Sequence, residues 1–491
     1  MTSKVNSITT LGELKASGYI SKSVKEEIRE NLVQQIEKHK PVFPGILGYE
    51  NTVIPDLERA LLSRHHINLL GLRGQAKTRI ARDMVNLLDE FIPVVKGSEL
   101  NDDPLKPLSV FAKDLIREMG DETPIHWMHR SERYVEKLAT PDVTVADLIG
   151  DIDPIKAVNM KLNYGDERVI HFGLIPRANR CIFVLNEIPD LQARIQVALF
   201  NILQEGDIQI RGFKIRLPLD IQFVFTANPE DYTNRGSIIT PLKDRIGSQI
   251  LTHYPKNRET AITITAQEAK VLPVQESRIT CHSLIRNLIE QIGFEARENE
   301  YVDGKSGVSA RLSISALELV YSSAELRMIQ KGEKNTYIRI ADIYQAIPAI
   351  TGKVEMVYEG EQEGAFNVAN ILIGKSIRTL FAAHFPSPET NRKKNAVEPY
   401  ERILKWFEKG NQLQILSDQS DKEYAMALNK VDGLAAFVEA QQPDKGKMDT
   451  YLWMEFVLHG LAEYSRLGKS RLAEGTSFTD LIGSMLTFGD A

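Results

Sequence analysis

The sequence predicts an α/β layer fold for residues 41–255, with a short helical segment before it and mainly helical chain after it. Three observations carry that reading. Apolar runs of strand length alternate with amphipathic helical stretches, the pattern of packed strand and helix layers. A glycine-containing loop, GLRGQAKT, joins the first apolar run to the first of these helices. A hairpin pattern lies between the second helix and the third apolar run.

Taken in order, residues 1–40 read as a helical prelude. Ser23 and Glu26 stand at capping-box spacing, and Ile28, Leu32 and Ile36 repeat every four residues. Residues 39–51, HKPVFPGILGYEN, break this helix with two prolines and two glycines. The first strand is INLL (67–70), and Ile80, Met84, Leu87 and Leu88 mark the helix after it. CIFVL (181–185) is the second strand, followed by a helix with Leu191, Ile195, Leu199, Ile202 and Leu203. IQFVFTA (221–227) is the third. Within 206–220, Ile208 and Ile210 alternate with polar residues, Arg211-Gly212 turns, and Ile215 and Leu217 resume the alternation. Residues 256–355 are expected to be helical, with Ile314, Leu317, Val320 and Tyr321 at helical spacing. Residues 356–491 are also expected to be mainly helical, with a polar surface connection at 385–399.

Length and composition bound the function. The 491 residues allow two to four domains at roughly 100–200 residues each. Hydrophobic residues at 43% and charged residues at 26% give an ordinary globular balance. No apolar run is long enough for a membrane span, and the opening residues lack the basic-then-apolar order of a secretory signal. Cys181 and Cys281 are too few for a disulfide framework or a Cys-rich zinc site. A cytoplasmic location is therefore expected. A net charge of −6 argues against a generally basic nucleic-acid binder, while leaving a local basic patch open.

The loop Gly71–Thr78 carries the first chemistry. A strand, a glycine loop and a helix in that order form a phosphate cradle, because loop and helix-start N–H groups point at phosphate oxygens. Lys77 adds a point charge toward the β- and γ-phosphates, and Thr78 offers a hydroxyl to Mg²⁺. Ala76 stands where the general pattern has glycine, and αR geometry is expected there. The bland alternative is a glycine turn with a chance Lys-Thr; the strand–loop–helix setting argues against it.

The second apolar strand ends in Asn186 and Glu187. An acidic pair at such a strand end would hold Mg²⁺ and activate water. Here Asn186 can bond a metal-bound water but brings no charge, and Glu187 keeps the position of the base. The third strand ends in Asn228, whose amide could position water with Glu187. Two arginines follow, Arg245 in PLKDRIG and Arg311 in SGVSARLSISALEL. A guanidinium can stabilise γ-phosphate charge in the transition state, although an isolated arginine is more often a surface ion pair.

This ordered set resembles an AAA+ ATPase of the magnesium chelatase ATPase-subunit and MoxR group. GLRGQAKT resembles Walker A, CIFVLNE Walker B and FTANP sensor 1; Arg245 matches the arginine finger and Arg311 sensor 2. FPGILGYEN, with Leu47, Gly48 and Tyr49, resembles the segment that packs around adenine, and the hairpin resembles the pre-sensor-1 insertion. The resemblance implies an AAA+ P-loop core with a parallel sheet over 41–255, a helical lid over 256–355, and a further helical region over 356–491. It implies ATP with Mg²⁺, bound by Gly71, Gly74, Gln75, Ala76, Lys77, Thr78 and Arg79, with Thr78 and Asn186 on the metal side. Glu187, Asn228, Arg245 and Arg311 would serve catalysis. It further implies a homo-oligomeric ring, a hexamer favoured, with Arg245 reaching a neighbour's nucleotide. Similar proteins often work with a partner carrying a von Willebrand A domain.

Other features are set aside. HWMH (126–129) places two histidines three apart, which can suit a metal on a helix, but no third ligand is evident. EGAFNVAN (363–370) partly resembles the loop of enhancer-binding activators, yet follows the lid instead of lying between the Walker motifs. Three functions compete: an ATPase that remodels a partner protein, a nucleotide-gated scaffold with little turnover, and a nucleic-acid motor using Arg211, Lys214 and Arg216.

Overall fold

The computed structural model describes residues 7–162, 166–205, 207–208, 217–229, 237–388, 399–442, 447–472 and 475–481. Met1–His253 and Tyr254–Ala491 form two compact units.

The first unit is built on five strands: β1 (Ile67–Leu70), β2 (Tyr134–Leu138), β3 (Cys181–Asn186), β4 (Ile221–Ala227) and β5 (Ser248–Leu251). They lie in the spatial order β5-β1-β4-β3-β2, all parallel. Every residue of β3 and β4 is buried, as expected for parallel strands covered on both faces. Alternation sorts their side chains. Ile182, Val184 and Val224 enter one core, with residues of α1 (Val24–Glu37), α2 (Val53–Leu62) and α3 (Lys77–Asp83). Phe183, Leu185, Phe223 and Phe225 enter the other, with Ile195, Leu199 and Ile202 of α4 (Ala193–Glu205) and Leu242 of α5 (Thr240–Arg245).

The helical prelude is part of this unit. Ser23 caps α1 with both capping-box bonds in place, and Ile28 and Leu32 are buried, while Ile36 remains 41% exposed. Arg133, just before β2, grips Glu27 of α1 with two bonds of 2.5 and 2.7 Å. The helix expected through Leu88 is α3 followed by a 3-10 turn, Met84–Leu87. Sequence reasoning missed β2 and β5, and HWMH lies on a strand, Ile125–His129, paired antiparallel with Phe91–Val95. The spacing that would suit a metal on a helix is therefore lost: on a strand, His126 and His129 point to opposite faces. Of the expected hairpin, Asp207–Ile208 pairs antiparallel with Leu217–Pro218. Arg211, Lys214 and Arg216 lie outside the described residues, as does most of the connection expected at 385–399.

The second unit, Tyr254–Ala491, has a hydrophobic core whose buried residues run from Ile279 to Phe478. The stretches expected as lid and as C-terminal region both contribute to it. Its long helices are α6 (Ser283–Glu298), α7 (Arg311–Lys331), α8 (Ala365–His384) and α9 (Lys447–Glu463). An antiparallel sheet, unforeseen from the sequence, joins Leu413–Leu416, Gly475–Thr479 and Gly468–Leu472. EGAFNVAN runs into the first turns of α8, with Gly364 as its N-cap at φ 89°.

Candidate functional site

The carboxyl ends of β1, β3 and β4 meet at one edge of the sheet, the position where ligands bind in open α/β folds. Gly71–Ala76 leaves β1 there and leads into α3. A Cβ on Gly71 would collide with the side chains of Thr252 and Gln75, which bond each other at 2.7 Å. Gly74 has φ 74°. Ala76 has φ 57° and ψ 15°, so the αR geometry expected there is corrected to αL. The turn into α3 demands it, at a cost of roughly 1–2 kcal/mol for a residue with a Cβ. Alternating backbone handedness of this kind forms N–H concavities that suit anions.

Behind the loop, the Tyr49 hydroxyl donates 2.7 Å to the His253 carbonyl and lies 3.0 Å from that of Gln75. Tyr49 is buried and braces the phosphate loop; Leu47 and Gly48 are half-buried beside it. Thr78 and Arg79 are half-buried in the first turn of α3.

Lys77 is only 7% exposed. Its Nζ donates to the carbonyls of Gly71 and Leu72 and, at 2.7 Å, to Asn228 Oδ1. From there a continuous set of hydrogen bonds crosses the strand ends. Asn228 Nδ2 donates to Glu187 Oε2 at 2.7 Å. The Glu187 N–H donates to Thr226 Oγ1 at 3.1 Å, and the Thr226 hydroxyl donates to Asn186 Oδ1 at 3.1 Å. Asn186 Nδ2 donates to Glu136 Oε1 at 2.5 Å. Glu136 Oε2 accepts from Arg82 Nη2 at 2.8 Å, which returns the set to α3. Lys77 and Arg82 thus close a ring that runs through β4, β3 and β2.

Strand alternation explains the ring. Glu136 is opposite Val184, and Asn186 lies two residues beyond Val184 on the same face. Val184, Val224 and the α3 residues Ile80 and Ala81 share one core, so this is the face that α3 covers. Glu187 has φ 56° and ψ 48°, a left-handed conformation rare for a residue with a side chain. Such strain is characteristic of functional positions. The Tyr134 hydroxyl also donates to Glu136, and burial pushes its pKa up, so it stays a donor. Glu136 in turn holds the Arg82 guanidinium above its ordinary value.

Lys77, Asn186, Glu187 and Asn228 are therefore brought together. Arg245 ends the helix Thr240–Arg245, with its guanidinium 3.9 Å from the Phe200 ring centroid and 3.1 Å from the Pro241 carbonyl. Arg311 is the exposed first residue of α7, in the second unit. Sequence reasoning missed Glu136. The strand YVEKL sets Glu136 beside Lys137, which breaks any apolar alternation, and is too short to stand out, although Tyr134, Glu136 and Leu138 do share a face.

A parallel α/β unit with a phosphate loop after its first strand, β1, and a polar ring beneath that loop, defines a P-loop nucleotide-binding fold. Comparisons sharpen the class. Residues 163–247 match the sigma-54 interaction domain family, a span that stops short of EGAFNVAN. The 38 kDa subunit of magnesium chelatase from Cereibacter sphaeroides is 26% identical over 210 residues, 41% of this chain and 55% of its own. Its counterpart from Rhodobacter capsulatus is 25% identical over 241 residues, 46% of this chain and 61% of its own. The chain thus spans little more than half the length of these curated relatives. Among solved structures, an ATPase from Cytophaga hutchinsonii, itself described as putative, has 16% identity and a TM-score of 0.30, covering 74% of this chain and 97% of its own. The complex of BchI and BchD of magnesium chelatase gives 20% identity and a TM-score of 0.34, covering 66% and 99%. The chain has an AAA+ α/β fold and resembles the magnesium chelatase ATPase subunit. Among the described residues no helix is long and apolar enough to cross a membrane.

Proposed function

We propose that this chain binds ATP with Mg²⁺ and hydrolyses it to remodel a partner protein or complex. The observation that carries the proposal is the set of bonds from Lys77 through Asn228 to Glu187 under a strained phosphate loop. Loop N–H groups and Lys77 would hold the phosphates. Asn228 would keep the Glu187 carboxylate aimed at a water, and Glu187 Oε would accept that water's proton. The oxygen donors Thr78, Asn186 and Glu136 suit a hard cation, and Mg²⁺ bound with the nucleotide would neutralise charge on the phosphates.

The resemblance to ring-forming ATPases supports a homo-oligomeric ring, a hexamer favoured, with Arg245 offered to the neighbour's nucleotide and Arg311 acting as sensor. A cytoplasmic location and a partner with a von Willebrand A domain belong to the same reading. Steady-state phosphate release by the purified chain is the test, with Glu187→Gln as control. Turnover that is equal in the two would refute the role given to Glu187.

A second reading, a nucleotide-gated scaffold with little turnover, is favoured by Asn186. Both ends of its amide are engaged within the protein, and it brings no charge. A large gain in turnover with Asn186→Asp would support the scaffold, and no gain would support the ATPase.

A further inference from the structure

The strand end that should present an acid to the metal presents Asn186, but a carboxylate lies one strand away. Glu136 Oε1 accepts from Asn186 Nδ2 at 2.5 Å, and Asn186 is only 9% exposed. The amide orientation is fixed by chemistry. A carboxylate accepts only, so the NH₂ must face Glu136, and the Asn186 oxygen then takes the Thr226 hydroxyl. Glu136 and Asn186 share the strand face that α3 covers. Thr78 and Arg82 lie four apart on α3 and therefore on one side of it, and Arg82 reaches Glu136 at 2.8 Å. Glu136 is thus placed toward the side of α3 that carries the hydroxyl expected to meet Mg²⁺.

We propose that Glu136 supplies the negative charge that Asn186 lacks, acting through Asn186 as the positioning residue for the Mg²⁺ of the bound nucleotide. The inference rests on the nucleotide-binding reading above. Mg²⁺ is usually held by one or two carboxylates together with substrate phosphates, and the carboxylates behind its ligands tune its affinity. The competing role is purely structural: Glu136 as a partner for Arg82. Arg82 is 64% exposed at its side chain, so that ion pair contributes little by itself.

The experiment is a Mn²⁺ titration followed by electron paramagnetic resonance, on the full chain with AMP-PNP. A parallel calorimetric titration of AMP-PNP in EDTA reads nucleotide affinity without metal. Glu136→Gln should weaken Mn²⁺ by about tenfold or more, while AMP-PNP affinity in EDTA stays unchanged. Adding Asn186→Asp to Glu136→Gln should restore Mn²⁺ affinity, because it returns one carboxylate to the same strand end. Arg82→Gln should leave Mn²⁺ affinity as it is or raise it. Three results would overturn the proposal: unchanged Mn²⁺ affinity in Glu136→Gln, no rescue by Asn186→Asp, or an equal loss in Arg82→Gln. Failure of the unaltered chain to bind AMP-PNP with Mn²⁺ present would instead sink the nucleotide reading itself, and this inference with it.

Discussion

Replacing Glu27 by alanine removes one half of a buried ion pair. Glu27 is 3% exposed and Arg133 1% exposed at the side chain. Both guanidinium Nη atoms donate to the carboxylate, at 2.5 and 2.7 Å, while Nε donates to the Arg180 carbonyl at 2.9 Å. Glu27 also accepts the Asp89 N–H. Alanine would leave a buried guanidinium with no counter-charge, and breaking such a pair costs about 3–5 kcal/mol. For a domain of this size each kcal/mol shifts Tm by about 2–4 °C, so a loss of about 6–20 °C is expected. Calorimetric or fluorescence melting reads the shift, and hydrogen exchange locates it at α1 and β2. The double variant Glu27→Leu/Arg133→Met should melt above Glu27→Ala, since an apolar pair leaves no buried charge unmatched. A shift under about 2 °C in Glu27→Ala would refute the reasoning, because it would mean that α1 is not anchored on the sheet through this pair.

Ala76→Gly should stabilise the chain by about 1 kcal/mol, because glycine adopts the left-handed conformation without strain; an unchanged or lower Tm would contradict the αL assignment. Gly71→Ala should destabilise by about 1–3 kcal/mol through the clash with Thr252 and Gln75, and chemical denaturation reads the loss. Burial raises Asp220 to about 6, against the opposing bond from the Val24 N–H. The folded state therefore holds this proton more tightly than the unfolded chain, so the stability contributed by the protonated group is full below about pH 4 and is lost as pH rises through about 6. Asp220→Asn should abolish that loss, so its Tm advantage over the unaltered chain should widen between pH 4 and pH 7; a pH-independent difference would count against it.

Much of the first unit was legible because its signals are local. The phosphate loop is punctuated by glycines, Ser23 and Glu26 announce a helix start, and the buried strands CIFVLN and IQFVFTA are predominantly apolar. The polar strand β2 was not legible, and Glu136 went unnoticed with it. Its partner Asn186 is 50 residues away in sequence, and only the parallel register joins them. The αL turn at Ala76 was hidden for a related reason. Alanine carries no local preference for it, and the geometry is imposed by the path from β1 into α3. In the second unit helical periodicity identified α7, but the sheet pairs Leu413–Leu416 with Gly475–Thr479 from far along the chain, which no local pattern announces.

The account rests on a triphosphate seated at the start of α3, and calorimetric titration of ATP into the intact chain tests it most directly. Saturable binding is expected, weakened by about tenfold or more in Lys77→Ala through loss of a charge-assisted bond. Equal binding by both proteins, or no heat from either with Mg²⁺ present, would contradict it.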